Sequence, residues 1–186
     1  MFKLKIVVVG PLQSGKTAIS NFLAEATESS HGQYSPTVGV RILEFESELI
    51  AVKGKQRKAS IELWDCSGDE KYESCWPAIG KDAHGVMLVH NPNQKNVEKQ
   101  LELWYNRFVL SQGIDDEQCA VFHHRSSGHT KSMHPHAFAR FYWATSGIDE
   151  NGGESLKKDF YRYLERLMNV VSEKHDQEEL NIISHD

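Results

Sequence analysis

Short β-branched apolar runs alternate along the chain with longer stretches whose apolar residues recur every three or four positions. The first run ends at Val9, and helical spacing begins after Gly15. Further apolar runs end near Asp65, Val89 and Phe122. Two later stretches have the spacing of a helix face: Val97, Leu101, Trp104 and Phe108, and then Leu156, Phe160, Tyr163, Leu164, Leu167 and Val171. The alternation predicts an α/β fold, with a mostly parallel sheet, helices on both faces and ligands beyond the carboxyl ends of the strands.

Two parts of the predicted sheet are less regular. Residues 40–45 and 61–65 are both strand-like and are separated by a turn near Gly54, so they predict a two-stranded hairpin. The last two strands are predicted at 120–122 and 138–144. Because the polar segment between these strands is too short for a crossover helix with both of its connections, we expect a shortened or irregular connection there.

Length and composition limit the number of domains. The chain has 186 residues, of which 39% are hydrophobic, which suffices for one core but not for two ordinary domains. We therefore predict one domain over residues 1–172. Residues 173–186 are charged and lack a sustained apolar stripe, so they predict a flexible C-terminal tail.

Charge and cysteine content exclude several classes of function. A net charge of -5 gives no general attraction to phosphate backbones, so nucleic acid is not expected as a partner. Three cysteines without CxxC spacing argue against a disulfide framework and favour a reducing compartment. We expect no direct membrane anchor, because Phe2 follows Met1 where myristoylation needs glycine, and the last residues include no prenylatable cysteine.

The strongest chemical signal is a phosphate-binding loop between the first strand and the first helix. Residues 10–17 read GPLQSGKT and match the pattern GxxxxGK[ST] of P-loop proteins in that structural context. Such a loop wraps backbone N–H groups around phosphate oxygens, and its lysine reaches the outer phosphates. The residues predicted to contact a nucleotide here are Gln13, Ser14, Gly15, Lys16, Thr17 and Ala18.

Two further segments predict a magnesium site beside this loop. Asp65 ends an apolar strand and is followed by Gly68, whose N–H group can meet a terminal phosphate. Thr37 lies in a loop before the second strand, where its hydroxyl can bind both magnesium and a phosphate, and Tyr34 is expected to contact the nucleotide from the same loop. Since magnesium prefers hard oxygen ligands, we predict Thr17, Thr37 and Asp65 as the metal residues.

These elements, in this order and at these intervals, resemble those of the Ras-like small GTPases, and of their Rab-like branch in particular. Residues 35–45, 64–69, 73–78 and 81–85 look like the corresponding parts of the Rab-like GTPase subunit of the intraflagellar transport B complex. The resemblance implies GTP or GDP with Mg²⁺ as cofactors and a small GTPase-like domain over residues 1–172.

The same resemblance implies partners and a compartment. The partners would be the paired coiled-coil subunits of the intraflagellar transport B complex, with the protein a monomer outside that complex. The location would be the cilium or flagellum, the region of the basal body and the cytoplasm.

Asp69 departs from the pattern of GTPases that hydrolyse GTP rapidly. Family members usually have glutamine directly after the glycine of Asp-x-x-Gly, where it orients the attacking water. An anionic carboxylate at this position should repel the charge that develops on the phosphoryl group. We therefore expect little intrinsic hydrolysis.

The base-recognition motif Asn-Lys-x-Asp is also missing. The chain has His124 and Arg125 at the first two of these positions and no carboxylate at the fourth. Arg125 falls where the lysine would stack over the base, and Ser146 and Gly147 resemble a later base-contacting loop. Guanine preference is therefore implied by the family rather than by these residues.

Three functions remain open from the sequence: a binding switch with little hydrolysis, a GTPase that a partner activates, and a structural adaptor whose nucleotide only stabilises the fold. Trp76 also has two interpretations, as an exposed docking anchor or as a core residue.

Overall fold

The computed structural model describes residues 1–26, 35–125, 135–147 and 152–183. The strands are β1 (Phe2–Val9), β2 (Val40–Glu46), β3 (Ile50–Val52), β4 (Lys55–Arg57), β5 (Ala59–Cys66), β6 (Gly85–His90), β7 (Cys119–Arg125) and β8 (Tyr142–Gly147). The helices are α1 (Lys16–Leu23), α2 (Trp76–Gly80), α3 (Val97–Phe108) and α4 (Gly152–Ile183). Short 3-10 segments cover Glu70–Cys75, Leu110–Gln112, Asp116–Gln118 and His136–Phe138.

Six strands form one sheet in the order β2-β5-β1-β6-β7-β8, and β3 pairs with β4 in a separate hairpin. Strand β2 runs antiparallel to β5, whereas all other neighbours in the main sheet are parallel. The predicted α/β fold with a mostly parallel sheet is confirmed. The predicted β2–β5 pairing is also present, and the turn at Gly54 belongs to the β3–β4 hairpin inserted between these two strands.

Alternate residues of the central strands pack on opposite faces of the sheet. Ile6 and Val8 of β1 pack with the apolar faces of α1 and α4. Val7 and Val9 pack with α2 and α3 on the other face. Residues 6–9 of β1 are therefore buried on both faces of the sheet, which is why this part of the strand is wholly apolar.

Trp76 is a core residue. Its side chain is only 2% exposed, and its ring centroid lies 4.6 Å from that of Trp104 on α3 and 5.8 Å from that of Phe108. The interpretation as an exposed docking anchor is therefore wrong.

The last strand begins later than the sequence predicts. The prediction of a strand over 138–144 is wrong in its first half, because two successive turns, closed by the Phe138 and Phe141 N–H groups, precede Tyr142. Phe138 and Phe141 are both buried and three residues apart, so they pack on one side of a turn rather than alternating along a strand. The described part of the connection from β7, residues 135–141, contains only the 3-10 segment His136–Phe138.

Helix α4 continues beyond the predicted domain end at residue 172 and reaches Ile183. Its last turns contact the rest of the molecule through Asp176, whose Oδ2 lies 2.5 Å from Lys53 Nζ, and through Lys174, whose Nζ lies 2.7 Å from Asp115 Oδ2. The domain boundary and the flexibility of the tail stay predictions. None of the helices in the described ranges is both long and apolar enough to cross a membrane.

Candidate functional site

The loop between β1 and α1 has the tight backbone that a phosphate cradle needs. Gly10 has φ +149° and Gly15 has φ +94°, both in a region that glycine adopts most easily. A Cβ atom on Gly10 would lie 2.0 Å from the carbonyl oxygen of Val89. Gln13 takes a left-handed φ of 59° without being glycine. Gly15 directly precedes the first turn of α1, so the free N–H groups of that turn adjoin the loop.

Lys16 holds its ammonium group inside this loop. The residue is 6% exposed, and its Nζ donates to the carbonyl oxygen of Pro11 (2.7 Å) and, at 3.4 Å, to Ser14 Oγ. Burial lowers the pKa of Lys16 to about 8, because the charged form loses solvation that Asp65 restores only in part. A phosphate anion would supply the missing compensation.

Three oxygen-bearing side chains converge beside Lys16. Thr17 Oγ1 lies 2.8 Å from Thr37 Oγ1 and 2.9 Å from Asp65 Oδ2, and Thr37 Oγ1 lies 3.4 Å from the same carboxylate oxygen. Asp65 is fully buried, and burial raises the pKa of its carboxyl group. Its other oxygen, Oδ1, has no hydrogen-bond partner within the described residues. A buried carboxylate oxygen without a partner and two adjacent hydroxyl groups fit a magnesium ion.

Arg41 is a neighbour of this site that the sequence analysis missed. It lies directly opposite Asp65 in the antiparallel β2–β5 pair, and its Nη2 lies 3.5 Å from Asp65 Oδ2. The guanidinium also donates to Asn21 Oδ1 on α1. The sequence predicts that these two strands are antiparallel neighbours. It does not predict the register of the pair, and only the register brings Arg41 opposite Asp65.

Two other segments hold the P-loop from outside. A Cβ atom on Gly68 would lie 2.5 Å from the Leu12 backbone nitrogen, so the Asp-x-x-Gly segment packs directly on the loop. Gln94, between β6 and α3, donates from Nε2 to the carbonyl oxygen of Leu12 at 2.8 Å. Gly68 thus packs beside the backbone nitrogen of Leu12, and Gln94 donates to its carbonyl oxygen. Gln94 carries no motif that the sequence analysis could have recognised.

The Asp69 carboxylate is engaged by Lys71. Asp69 Oδ1 accepts from the Lys71 N–H group at 3.1 Å, which caps the 3-10 segment Glu70–Cys75, and Asp69 Oδ2 lies 2.8 Å from Lys71 Nζ. These hydrogen bonds with Lys71 lower the pKa of Asp69, so the carboxylate is ionised near neutral pH.

The predicted base-contacting residues lie at the carboxyl ends of β7 and β8. In the parallel pair His124 is opposite Ser146, and Arg125 is opposite Gly147. All four belong to strands, whereas the apolar pattern of the sequence predicts that they follow the strands. The longer strands bring these backbones to the same sheet edge as the P-loop.

His124 packs against the P-loop itself. A Cβ atom on Gly15 would lie 2.3 Å from His124 Cδ2. Burial lowers the pKa of His124, and its Nδ1 has no hydrogen-bond partner in the part of the chain that the structure describes. The neutral ring therefore occupies the place next to Gly15.

The structure brings most of the predicted site residues to one edge of the sheet. Tyr34 lies outside the described residues, so its predicted contact stays a prediction. The backbone of Gln13, Ser14, Gly15, Lys16, Thr17 and Ala18 leads from the loop into α1. Thr37, Asp65 and Gly68 join it from the β2 and β5 side.

Comparison with known proteins places this arrangement in a family. A family model described as Ras of Complex, Roc, domain of DAPkinase matches residues 5–126. The chain is 42% identical to the Intraflagellar transport protein 22 homolog of Danio rerio, over 99% of this chain and 100% of that protein. It is 41% identical to the Homo sapiens homolog over the same shares of the two chains.

Solved structures agree with the sequence relatives. The GTP-bound crystal structure of T. brucei IFT22/74/81 matches with a TM-score of 0.67 at 29% identity and covers 88% of this chain and 96% of that chain. The GDP-bound crystal structure of T. brucei IFT22 matches with a TM-score of 0.66 at 29% identity, covering 90% and 97%.

Proposed function

The chain belongs to the intraflagellar transport protein 22 family of Rab-like small GTPases, and from this premise we propose that it is a magnesium-dependent guanine-nucleotide switch with little intrinsic hydrolysis. One observation carries the proposal: the Thr17, Thr37 and Asp65 oxygens meet within hydrogen-bonding distance beside the buried Lys16 ammonium. That set combines a hard-cation site with a phosphate cradle.

The residues have distinct roles in binding. Lys16 and the loop N–H groups would neutralise and orient the phosphates, and Thr17, Thr37 and Asp65 would hold the metal. Bound magnesium would supply positive charge that offsets the charge of the phosphates. Because Thr37 lies before β2 and Gly68 packs on the P-loop, occupation of the site would order both segments, and a partner would recognise that order. Solved relatives bound to GTP and to GDP support both nucleotides as ligands.

Base recognition would differ from the usual pattern. The fourth position of the Asn-Lys-x-Asp motif is not acidic in this chain, and His124, at its first position, packs on Gly15. We infer that the backbones at the ends of β7 and β8, with Arg125, Ser146 and Gly147, contact the base, and that guanine selectivity is weaker than a carboxylate gives.

The partners are proposed from the relatives. A solved relative is bound to IFT74/81 in its GTP-bound state. We propose that this chain joins coiled-coil subunits of the intraflagellar transport B complex, is a monomer outside the complex, and acts in the cilium or flagellum, at the basal body and in the cytoplasm.

Titration calorimetry of nucleotide-stripped protein tests the proposal. With magnesium, GTP and GDP should bind and ATP should bind at least roughly tenfold more weakly, since even weakened hydrogen-bond recognition distinguishes the bases. Lys16→Ala should abolish binding, whereas the matched variant Lys55→Ala, on the exposed hairpin, should bind like the wild type.

Two results would redirect the proposal. If the folded wild-type protein binds no nucleotide, the switch function is wrong and a structural adaptor is favoured. If Lys16→Ala abolishes nucleotide binding but the protein still binds its complex partners equally well, the nucleotide does not control assembly.

A further inference from the structure

The carboxylate predicted to hold magnesium already has a fixed positive neighbour. Arg41 of β2 is opposite Asp65 of β5 in the strand register, so both side chains lie on the same face of the sheet. The distance from Arg41 Nη2 to Asp65 Oδ2 is 3.5 Å. That is the same oxygen that the Thr17 and Thr37 hydroxyl groups contact.

The position of the guanidinium is fixed by more than Asp65. Arg41 also donates to Asn21 Oδ1, which places its head between α1 and β5. The Arg41 side chain is 41% exposed, whereas Asp65 is fully buried. One atom, Nη2, contacts both acceptors, which holds this end of the guanidinium between α1 and β5.

We propose that Arg41 is a built-in counter-ion that competes with magnesium for Asp65 and so makes nucleotide binding less dependent on the metal. This inference rests on the proposed nucleotide function. Without the metal, Arg41 stabilises the buried carboxylate. With the metal bound, two cations adjoin one carboxylate, and their repulsion weakens magnesium binding. Arg41 is therefore a positioning residue that sets the magnesium concentration at which the site fills.

Arg41→Gln tests the proposal through the magnesium dependence of GTP affinity. The half-saturating magnesium concentration should fall by roughly three- to tenfold, because one positive charge leaves the neighbourhood of the metal but was partly screened by solvent. The affinity of this variant for GTP in EDTA should fall, because neither magnesium nor Arg41 then offsets the repulsion between the Asp65 carboxylate and the phosphates. Arg57→Gln, which removes an equal charge from the exposed strand β4, should change neither quantity.

A second readout does not involve nucleotide. The urea midpoint of nucleotide-free Arg41→Gln should be lower than that of the wild type in EDTA, and added magnesium should reduce this difference. Arg41→Met, whose apolar stem fills the same space, should show the same lowered urea midpoint in EDTA and the same recovery with magnesium as Arg41→Gln. An unchanged half-saturating magnesium concentration, or a variant that stays unfolded with magnesium and GTP present, would overturn the counter-ion role in favour of a purely structural one.

The wild-type control separates the two proposals. If wild-type protein binds no magnesium–nucleotide complex, the proposed function fails. If it binds the complex and Arg41→Gln has the same magnesium dependence, only the role of Arg41 fails.

Discussion

Asp69 occupies the position at which the resemblance to small GTPases implies a water-orienting glutamine. Its carboxylate is engaged by the Lys71 N–H group and by Lys71 Nζ, and it caps the 3-10 segment that follows. We do not expect a carboxylate held in this way to orient water over a phosphate, and its charge would oppose the anion that develops there. At the residue scale, the structure shows that Asp69 caps a 3-10 segment, and slow hydrolysis is the expectation that follows.

Asp69→Gln should raise basal GTP hydrolysis by roughly tenfold, because an amide can orient water and adds no negative charge. Single-turnover hydrolysis of bound GTP measures this rate. The control Glu70→Gln removes the neighbouring, exposed carboxylate and should leave the rate unchanged. Equal rates for Asp69→Gln and the wild type would show that catalytic geometry fails elsewhere.

At the scale of elements, β1 is joined to the start of β6 by His84. The Lys5 N–H group donates to His84 Nδ1 at 3.0 Å, and the His84 N–H group donates to the Lys5 carbonyl oxygen at 2.9 Å. The first of these bonds requires a deprotonated Nδ1 atom. Burial lowers the pKa of His84, so the imidazole is neutral near pH 7.

The free energy of unfolding should therefore fall as pH drops below about 6.5. In that range the unfolded state binds the proton more readily than the folded state, so this one group contributes a loss of at most about 1.4 kcal/mol per pH unit. Urea unfolding at pH 7.5 and 5.5 measures the difference. In His84→Asn, whose amide oxygen can accept the same hydrogen bond, the difference should shrink; an identical pH dependence would assign the effect to other groups.

How far the sequence predicts these elements depends on how local their causes are. The P-loop and Asp65 follow from short motifs next to strands, and α1 and α3 follow from periodicity, because each of these signals lies within one stretch of chain. Arg41 and Gln94 reach the site only through strand register and loop packing. The sequence pattern assigns Phe138 to a strand because a buried turn and a buried strand have the same apolar composition.

For the molecule as a whole, α4 is held to the sheet mainly by its buried face. Tyr163 is 1% exposed, and its hydroxyl donates to the carbonyl oxygen of Gln118 at 2.9 Å. The same hydroxyl fills the space where a Cβ atom on Gly85 would lie, at 2.3 Å. The ion pair of Lys174 with Asp115, farther along the helix, is largely exposed and therefore weak.

Tyr163→Phe should lower the free energy of unfolding by about 1–3 kcal/mol, because a buried carbonyl oxygen loses its donor. Lys174→Ala, which removes the exposed ion pair with Asp115 and a hydrogen bond from Lys174 Nζ to Gln118 Oε1 (2.6 Å), should cost at most about 1 kcal/mol, because Gln118 Oε1 also accepts from the Asp115 N–H group. Urea denaturation of both variants measures the two losses in the free energy of unfolding and shows whether the buried face or the surface charges hold α4 to the sheet. A larger loss for Lys174→Ala would show that the end of α4, rather than its buried face, fixes the helix.

Helix α4 is long enough to provide a reference distance within the molecule. Its 32 residues correspond to roughly 48 Å of continuous helix. Dyes attached at exposed positions such as Lys158 and Leu180 are separated by roughly 33 Å along this helix, and we expect the same distance in every nucleotide state in which the helix keeps its last turns. The distance from a third dye on the segment before β2 could then be compared with the distance between the two dyes on α4. A change in the first distance alone would indicate movement of that segment rather than a change in dye brightness.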